Sequence, residues 1–132
     1  MADTLQFDLV SPERKVASVE ATQVQIPGMT GDFTAMPNHA PFLTTLRPGV
    51  VRVIAGSDTT EYVVTGGFAE ISPTSATILA EQAVPRGEAG SEMVAALVAE
   101  AESARAEAPE DTRQLADQRL RDVNSLKNTL SL

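Results

Sequence analysis

The sequence predicts an antiparallel β-sandwich or flattened barrel, followed by two antiparallel helices. Two observations carry the prediction. Short runs rich in Val, Ile, Thr and Phe alternate with Gly, Pro and Ser turn clusters over most of the first 86 residues. Beyond Pro85-Arg86-Gly87-Glu88-Ala89-Gly90 the β-branched clusters give way to Ala, Glu, Leu and Arg, with apolar residues at helical spacing. The expected division is a β domain over 1–86 and a helical hairpin over 87–132.

Leu5 to Val10 alternates apolar and polar, the period of a half-buried strand, and Ser11-Pro12-Glu13 breaks it. Val16 to Ile26 is rich in β-branched residues, with Val24 and Ile26 on one face and Gln23 and Gln25 on the other. From Gly28 to Gly49 the punctuation is dense. Gly28 and Gly31 bracket a turn, and Pro37, Pro41 and Pro48 each fix φ and remove a donor. A long helix is excluded there, and Asn38-His39 is expected in a loop or at a strand edge. Val50 to Ile54 is a strand, and Gly56-Ser57-Asp58 turns the chain into Thr59 to Thr65. Gly66-Gly67 permits a bulge or close backbone approach before Phe68 to Ile71. Pro73-Thr74-Ser75 turns again into Ala76 to Ala80.

In the helical part, Ser91 is the expected N-cap, with Glu92 in the first turn. Met93, Leu97, Ala101, Ala104 and Ala108 recur at helical spacing until Pro109. Asp111 and Gln114 suggest a capping box opening a second helix, with Ala116, Leu120, Val123, Leu126 or Lys127, and Leu130 on its face. Acids dominate 88–111 and bases dominate 112–132. Opposite local charge favours side-by-side packing, although exposed pairs contribute only ~0.2–1 kcal/mol each. The first helix is alanine-rich, so its buried face is thin.

Composition limits the function. With 132 residues and 42 % apolar content, the chain is long enough for one real core plus an appendage. No apolar run approaches the roughly 18 residues of a spanning helix. No signal peptide is evident at the start. A net charge of −8 and scarce aromatics argue against binding nucleic acid or anionic lipid. Zero cysteines exclude disulfides and thiolate metal sites. His39 is the single histidine and has no Ser, Cys or acidic partner at a recognisable spacing, so a structural or interface role is expected. The glycine pairs lack the Lys and helix start of a phosphate loop. No catalytic residue, metal or cofactor is expected, and proteins are the expected partners.

The pattern Gly28…Gly31-Asp32-Phe33…Pro37-Asn38-His39-Ala40-Pro41-Phe42-Leu43-Thr44…Leu46-Arg47-Pro48-Gly49, then Gly66-Gly67-Phe68-Ala69-Glu70-Ile71 and Ile78-Leu79-Ala80-Glu81, resembles the epsilon subunit of F-type ATP synthase. The resemblance covers essentially the whole chain. It implies a ten-stranded β-sandwich followed by two antiparallel helices. It also implies a non-catalytic central-stalk subunit that binds the gamma subunit and the polar loops of the c-ring, and so couples ring rotation to ATP synthesis. Carried over by position, Met29, Thr30, Gly31 and Asp32 would meet the c-ring, and Asn38, His39, Phe42 and Thr44 the gamma or ring surface.

The hairpin of such subunits can inhibit ATP hydrolysis by reaching toward the beta and alpha subunits. Arg113, Arg119, Arg121 and Lys127 are the residues here that would make those contacts. The nucleotide motif known in some bacterial members is degenerate, with Gly90 in place of its Asp and Met93 in place of its Arg. Nucleotide binding is therefore not expected, and an ATP-sensing module acting through the hairpin is the alternative reading. The resemblance places the subunit on the cytoplasmic side of a bacterial inner membrane, peripheral and without insertion.

Overall fold

A computed structural model describes residues 3–132. The chain divides into two compact units, one ending at Arg86 and one beginning at Gly87. The first is all β: β1 (Leu5–Ser11), β2 (Arg14–Ala21), β3 (Gln23–Gly28), β4 (Gly31–Ala35), β5 (Phe42–Leu46), β6 (Gly49–Ala55), β7 (Asp58–Val64), β8 (Gly67–Ile71), β9 (Ser75–Ala80) and β10 (Ala83–Pro85). The second holds α1 (Ser91–Glu107) and α2 (Arg113–Thr129).

The ten strands form one sheet in the order β10-β7-β6-β3-β5-β8-β9-β1-β2, with β4 paired to β3. Every pairing is antiparallel except β1 with β9, which run parallel. Period-2 alternation decides what is buried. Leu5, Phe7 and Leu9 of β1, Val24 and Ile26 of β3, Val51 and Val53 of β6, Ala69 and Ile71 of β8, and Ala76, Ile78 and Ala80 of β9 share one core. A sheet that buries one face along all these strands must curl that face onto itself, which is the sandwich the sequence predicts. Each fully buried Phe, Leu or Ile contributes roughly 1.5–3 kcal/mol of transfer free energy. Phe7, Leu9, Ile26, Ile71 and Ile78 therefore carry much of the stability.

The structure adds detail that local patterning did not carry. The β-rich stretch from Val16 to Ile26 is two strands, broken at Thr22, whose N–H and Oγ1 both donate to the Ile54 carbonyl at 2.7 and 2.8 Å. The proline-rich stretch holds two strands, β4 and β5, where the sequence showed chiefly a loop. Pro85 closes a short edge strand, β10, where linker composition had been read. β1 carries a register irregularity between Leu9 and Val10.

In the helical unit both expected caps are corrected. α1 begins at Ser91 itself, with extended Gly90 as N-cap and no side-chain cap bond. α2 begins at Arg113 with Thr112 as N-cap, so Asp111 and Gln114 form no capping box. Thr112 Oγ1 instead donates to the Pro109 carbonyl, 3.3 Å away, inside the interhelix turn. The buried face of α1 is Val94, Leu97 and Ala101, one residue round from the expected start at Met93, and Ala104 is exposed. In α2, Val123 and Leu126 are buried as expected, together with Asp122. An ion pair between the helices runs against the charge split. It joins Arg105, the only base of the acidic helix, to Asp117 of the basic one.

Candidate functional site

Three surface features of the sandwich can act on a partner. The first is the tip of the β3–β4 hairpin. Gly28 pairs with Gly31, leaving Met29 and Thr30 as an exposed two-residue turn. Gly31 has φ of 144°, a value L side chains rarely adopt, and a Cβ at Gly28 would lie 2.7 Å from the Gly31 carbonyl oxygen. The turn is also braced from outside. Met29 N–H donates to the Thr45 carbonyl at 2.9 Å, and Arg47 N–H donates to the Pro27 carbonyl at 3.1 Å. Arg47 Nε donates to the Gly28 carbonyl at 3.1 Å, while its Nη2 pairs with the Asp32 carboxylate. One guanidinium thus ties both flanks of the tip together.

The second feature is the loop from Met36 to Pro41. Asn38 sits at φ of 70°, which Asn tolerates better than most residues. Its N–H reaches the Pro73 carbonyl at 2.8 Å, and His39 N–H reaches the Met36 carbonyl at 3.1 Å. His39 Nδ1 lies 2.6 Å from the Ala40 carbonyl oxygen and donates to it. The Phe33 ring centroid is 6.5 Å from His39 and 5.3 Å from Phe42, the latter edge-to-face at 88°. His39 is thus half-buried, locally bonded and set beside aromatic rings.

The third feature escaped the sequence reading. Phe42 pairs with Ile71 and Thr44 with Ala69, both core residues, so Phe42 and Thr44 lie on the core side of the sheet, although Phe42, at the end of its strand, stays 42 % exposed. The alternate residues, Leu43 and Thr45, point outward. Thr45 pairs with Phe68, Phe68 with Leu79, and Leu79 with Val10, forming an outward row across β5, β8, β9 and β1. Leu43, Phe68 and Leu79 are 68 %, 53 % and 51 % exposed. Phe68, Leu79, Val10 and Pro12 line a shallow cleft of about 370 Å³ that ends at Glu81. Three large apolar side chains held in the open on neighbouring strands form a contact surface. The signal existed in sequence, as apolar residues at the alternate positions of Phe68-Ala69-Glu70 and Ile78-Leu79-Ala80. Only the strand pairing turns them into a row.

On the helices, Arg113, Arg121 and Lys127 are exposed, whereas Arg119 is half-buried. At 100° per residue the first three fall within an arc of about 120° and Arg119 falls outside it. Arg113 Nη2 donates to the Ala108 carbonyl at 3.4 Å, and Arg121 Nη2 to Gln118 Oε1 at 2.8 Å. Gly90 is the α1 cap and Met93 is half-buried, so neither offers a charge.

The Ser18 hydroxyl, donating at 2.7 Å, holds the Asp8 carboxyl below its ordinary pKa, with Gln6 and Lys15 assisting against partial burial. Among the described residues, no group of three His, Cys, Asp or Glu is arranged to hold a metal. No helix of the described chain is long and apolar enough to cross a membrane.

The fold is a β-sandwich with a braced turn and an outward apolar row, followed by a helical pair. The family described as ATP synthase, Delta/Epsilon chain, beta-sandwich domain matches residues 4–86, and the chain belongs to this family. The ATP synthase epsilon chain of Rhodobacter capsulatus is 46 % identical over 132 residues, covering 100 % of both chains. That of Fuscovulum blasticum is 61 % identical over 104 residues, covering 79 % of this chain and 80 % of the relative. A chain in the cryo-EM structure of the Euglena gracilis mitochondrial ATP synthase, OSCP/F1/c-ring in rotational state 1, has the same fold. Its TM-score is 0.76 at 22 % identity, over 98 % of this chain and 83 % of that one.

Proposed function

We propose that this chain is the non-catalytic epsilon subunit of a bacterial proton-translocating ATP synthase, joining the gamma subunit to the c-ring so that ring rotation drives ATP synthesis. The observation that carries the proposal is the outward apolar row of Phe68, Leu79 and Val10, with Leu43 two residues along β5 on the same face. A monomer has no use for such a surface, and a stalk partner would cover it. In this reading gamma takes the row and the neighbouring loop at Asn38 and His39. Phe42 and Thr44 support that contact from the inner side of the same strand. The tip residues Met29, Thr30, Gly31 and Asp32 rest on the polar loops of the ring. A turn tied down on both flanks loses little conformational entropy on docking, which suits a contact that bears torque.

The helical pair is the regulatory part of the proposal. Arg113, Arg121 and Lys127 share one exposed side of α2, and with Arg119 they would meet acidic residues of the beta and alpha subunits to slow hydrolysis. With Gly90 and Met93 supplying no phosphate contact, this reading needs no nucleotide on the hairpin. The subunit sits on the cytoplasmic face of the inner membrane, held there by its partners.

The test is cysteine cross-linking in the membrane complex, which the cysteine-free sequence makes clean. Cysteine at Thr30 should join the c-ring, and cysteine at Leu79 should join gamma. Deleting residues 87–132 should leave both products and the coupled complex in place. Failure of both cross-links in assembled complexes would overturn the proposal. Nucleotide binding to the isolated chain at physiological concentrations, seen by calorimetry, would instead favour the ATP-sensing alternative.

A further inference from the structure

α2 is packed through a narrow set of side chains. Val123 and Leu126 are buried, while Leu115, one turn into the helix, is 74 % exposed. Directly before Val123, at the N-terminal edge of that buried set, lies Asp122, only 8 % exposed. Its hydrogen-bond partner is a neutral amide, Gln118 Nε2, one turn earlier at 2.9 Å. Gln118 in turn accepts from Arg121 through Oε1, so the nearest cation on this network reaches the carboxylate only by way of an amide. Among the described residues Asp122 makes no ion pair.

A buried carboxylate with no counter-ion is disfavoured, because its hydration is lost and a single neutral donor does not replace it. Every stabilising choice at this position (Leu, Met, Asn) would avoid that cost. We propose that Asp122 is a built-in release element: its charge biases α2 away from the packed position and sets how readily the helix comes free. This goes beyond the stalk reading, and its test uses the isolated full chain, so its failure leaves that reading untouched.

A helix of 17 residues is marginal in water once its packing is gone, so release exposes backbone as well as side chains. Limited tryptic digestion then reports the released population, because Arg113, Arg119, Arg121 and Lys127 all lie in α2. Asp122→Asn keeps the shape and the Gln118 bond but removes the charge. It should slow cleavage within α2 and amide exchange at Val123 and Leu126 by about tenfold, leaving exchange in β1 and β9 unchanged. Gln118→Ala, which strips the amide donor, should speed both readouts by a similar factor. Asp122→Leu serves as the second variant and should slow cleavage at least as much as Asn. Equal or faster α2 cleavage in both Asp122 variants would overturn the proposal, since the carboxylate would then be holding the helix in place. So would a slowing that extends equally to the β1 and β9 amides, because the effect would be global.

Discussion

Gly67 offers the sharpest test of the sandwich geometry. It stands at φ of 131°, and a Cβ placed there would lie 2.0 Å from the Leu79 carbonyl oxygen and 2.9 Å from Ala80 Cα. Neither obstacle is the end of a flexible side chain, so Gly67→Ala must displace backbone in the β8–β9 ladder, where Gly67 pairs with Ala80. The backbone strain costs about 1–3 kcal/mol. Overpacking adds about 1–3 kcal/mol more. Native stability is roughly 0.05–0.15 kcal/mol per residue, so a unit of this size has on the order of 4–13 kcal/mol to lose. At about 4–8 °C per kcal/mol for domains of this length, the midpoint should fall by roughly 10 °C at the least. Gly56→Ala separates the two causes, because Gly56 has φ of 64° but nothing within 4 Å of the added Cβ. It should lose only the left-handed penalty of about 1–2 kcal/mol. Gly87→Ala, with open space and no positive φ, should be near neutral. Thermal unfolding by circular dichroism reads all three. If Gly67→Ala melts no lower than Gly56→Ala, the close approach of β8 to β9 is not what fixes that glycine.

Three further outcomes are expected. Arg47→Ala removes the tie between the Gly28 carbonyl and Asp32, so Met29 and Thr30 amides should exchange several-fold faster, with a global cost of about 1 kcal/mol; unchanged exchange at the tip would refute the brace. Leu79→Glu should leave the midpoint of the isolated chain nearly unchanged, because half of that side chain already faces solvent, yet abolish copurification with gamma; retention in the complex would remove the apolar row from the interface. Asp8 has a depressed native pKa, so its contribution to stability is complete above the unfolded carboxyl value and is lost as pH falls through the lower native value. Asp8→Asn should therefore flatten the acid limb of stability below about pH 4, measured by urea unfolding; an unaltered limb would mean the Ser18 hydrogen bond does not set that pKa.

Much of the fold was legible because each strand announces itself locally. Leu5 to Val10 alternates, Gly56-Ser57-Asp58 makes a hairpin, and the composition change after Pro85 marks where helices begin. What was not legible depends on distant partners. β4 and β5 hide in a stretch of prolines and glycines, and only the neighbours β3 and β8 turn them into strands. The parity of β5 shows the same limit. Position in the chain does not say which of Phe42 to Thr45 share a face, whereas pairing with Ile71 and Ala69 puts Phe42 and Thr44 on the core side and Leu43 on the other. The caps failed for a different reason. Ser91 and Asp111 have the right chemistry, but helix starts are set by where the preceding backbone leaves off, and extended Gly90 and Thr112 end up in those places. The buried face of α1 slipped by one residue because its many alanines give several faces nearly equal apolar character.

The parallel pairing of β1 with β9 has a consequence for how the chain is made. β1 finds β2 at once, through a two-residue connection, but its other flank waits for Ser75 to Ala80, far later in the chain. Until the ribosome has delivered those residues, the free edges of β1 and β8 that β9 will join stay unpaired, although the strands from β3 to β8 can already pair among themselves. Closure of so long a loop slows folding more than it weakens the product. The nascent polypeptide is therefore most exposed to misassembly late in synthesis, and a stop placed before residue 75 would yield a fragment with no means of sealing its own interior.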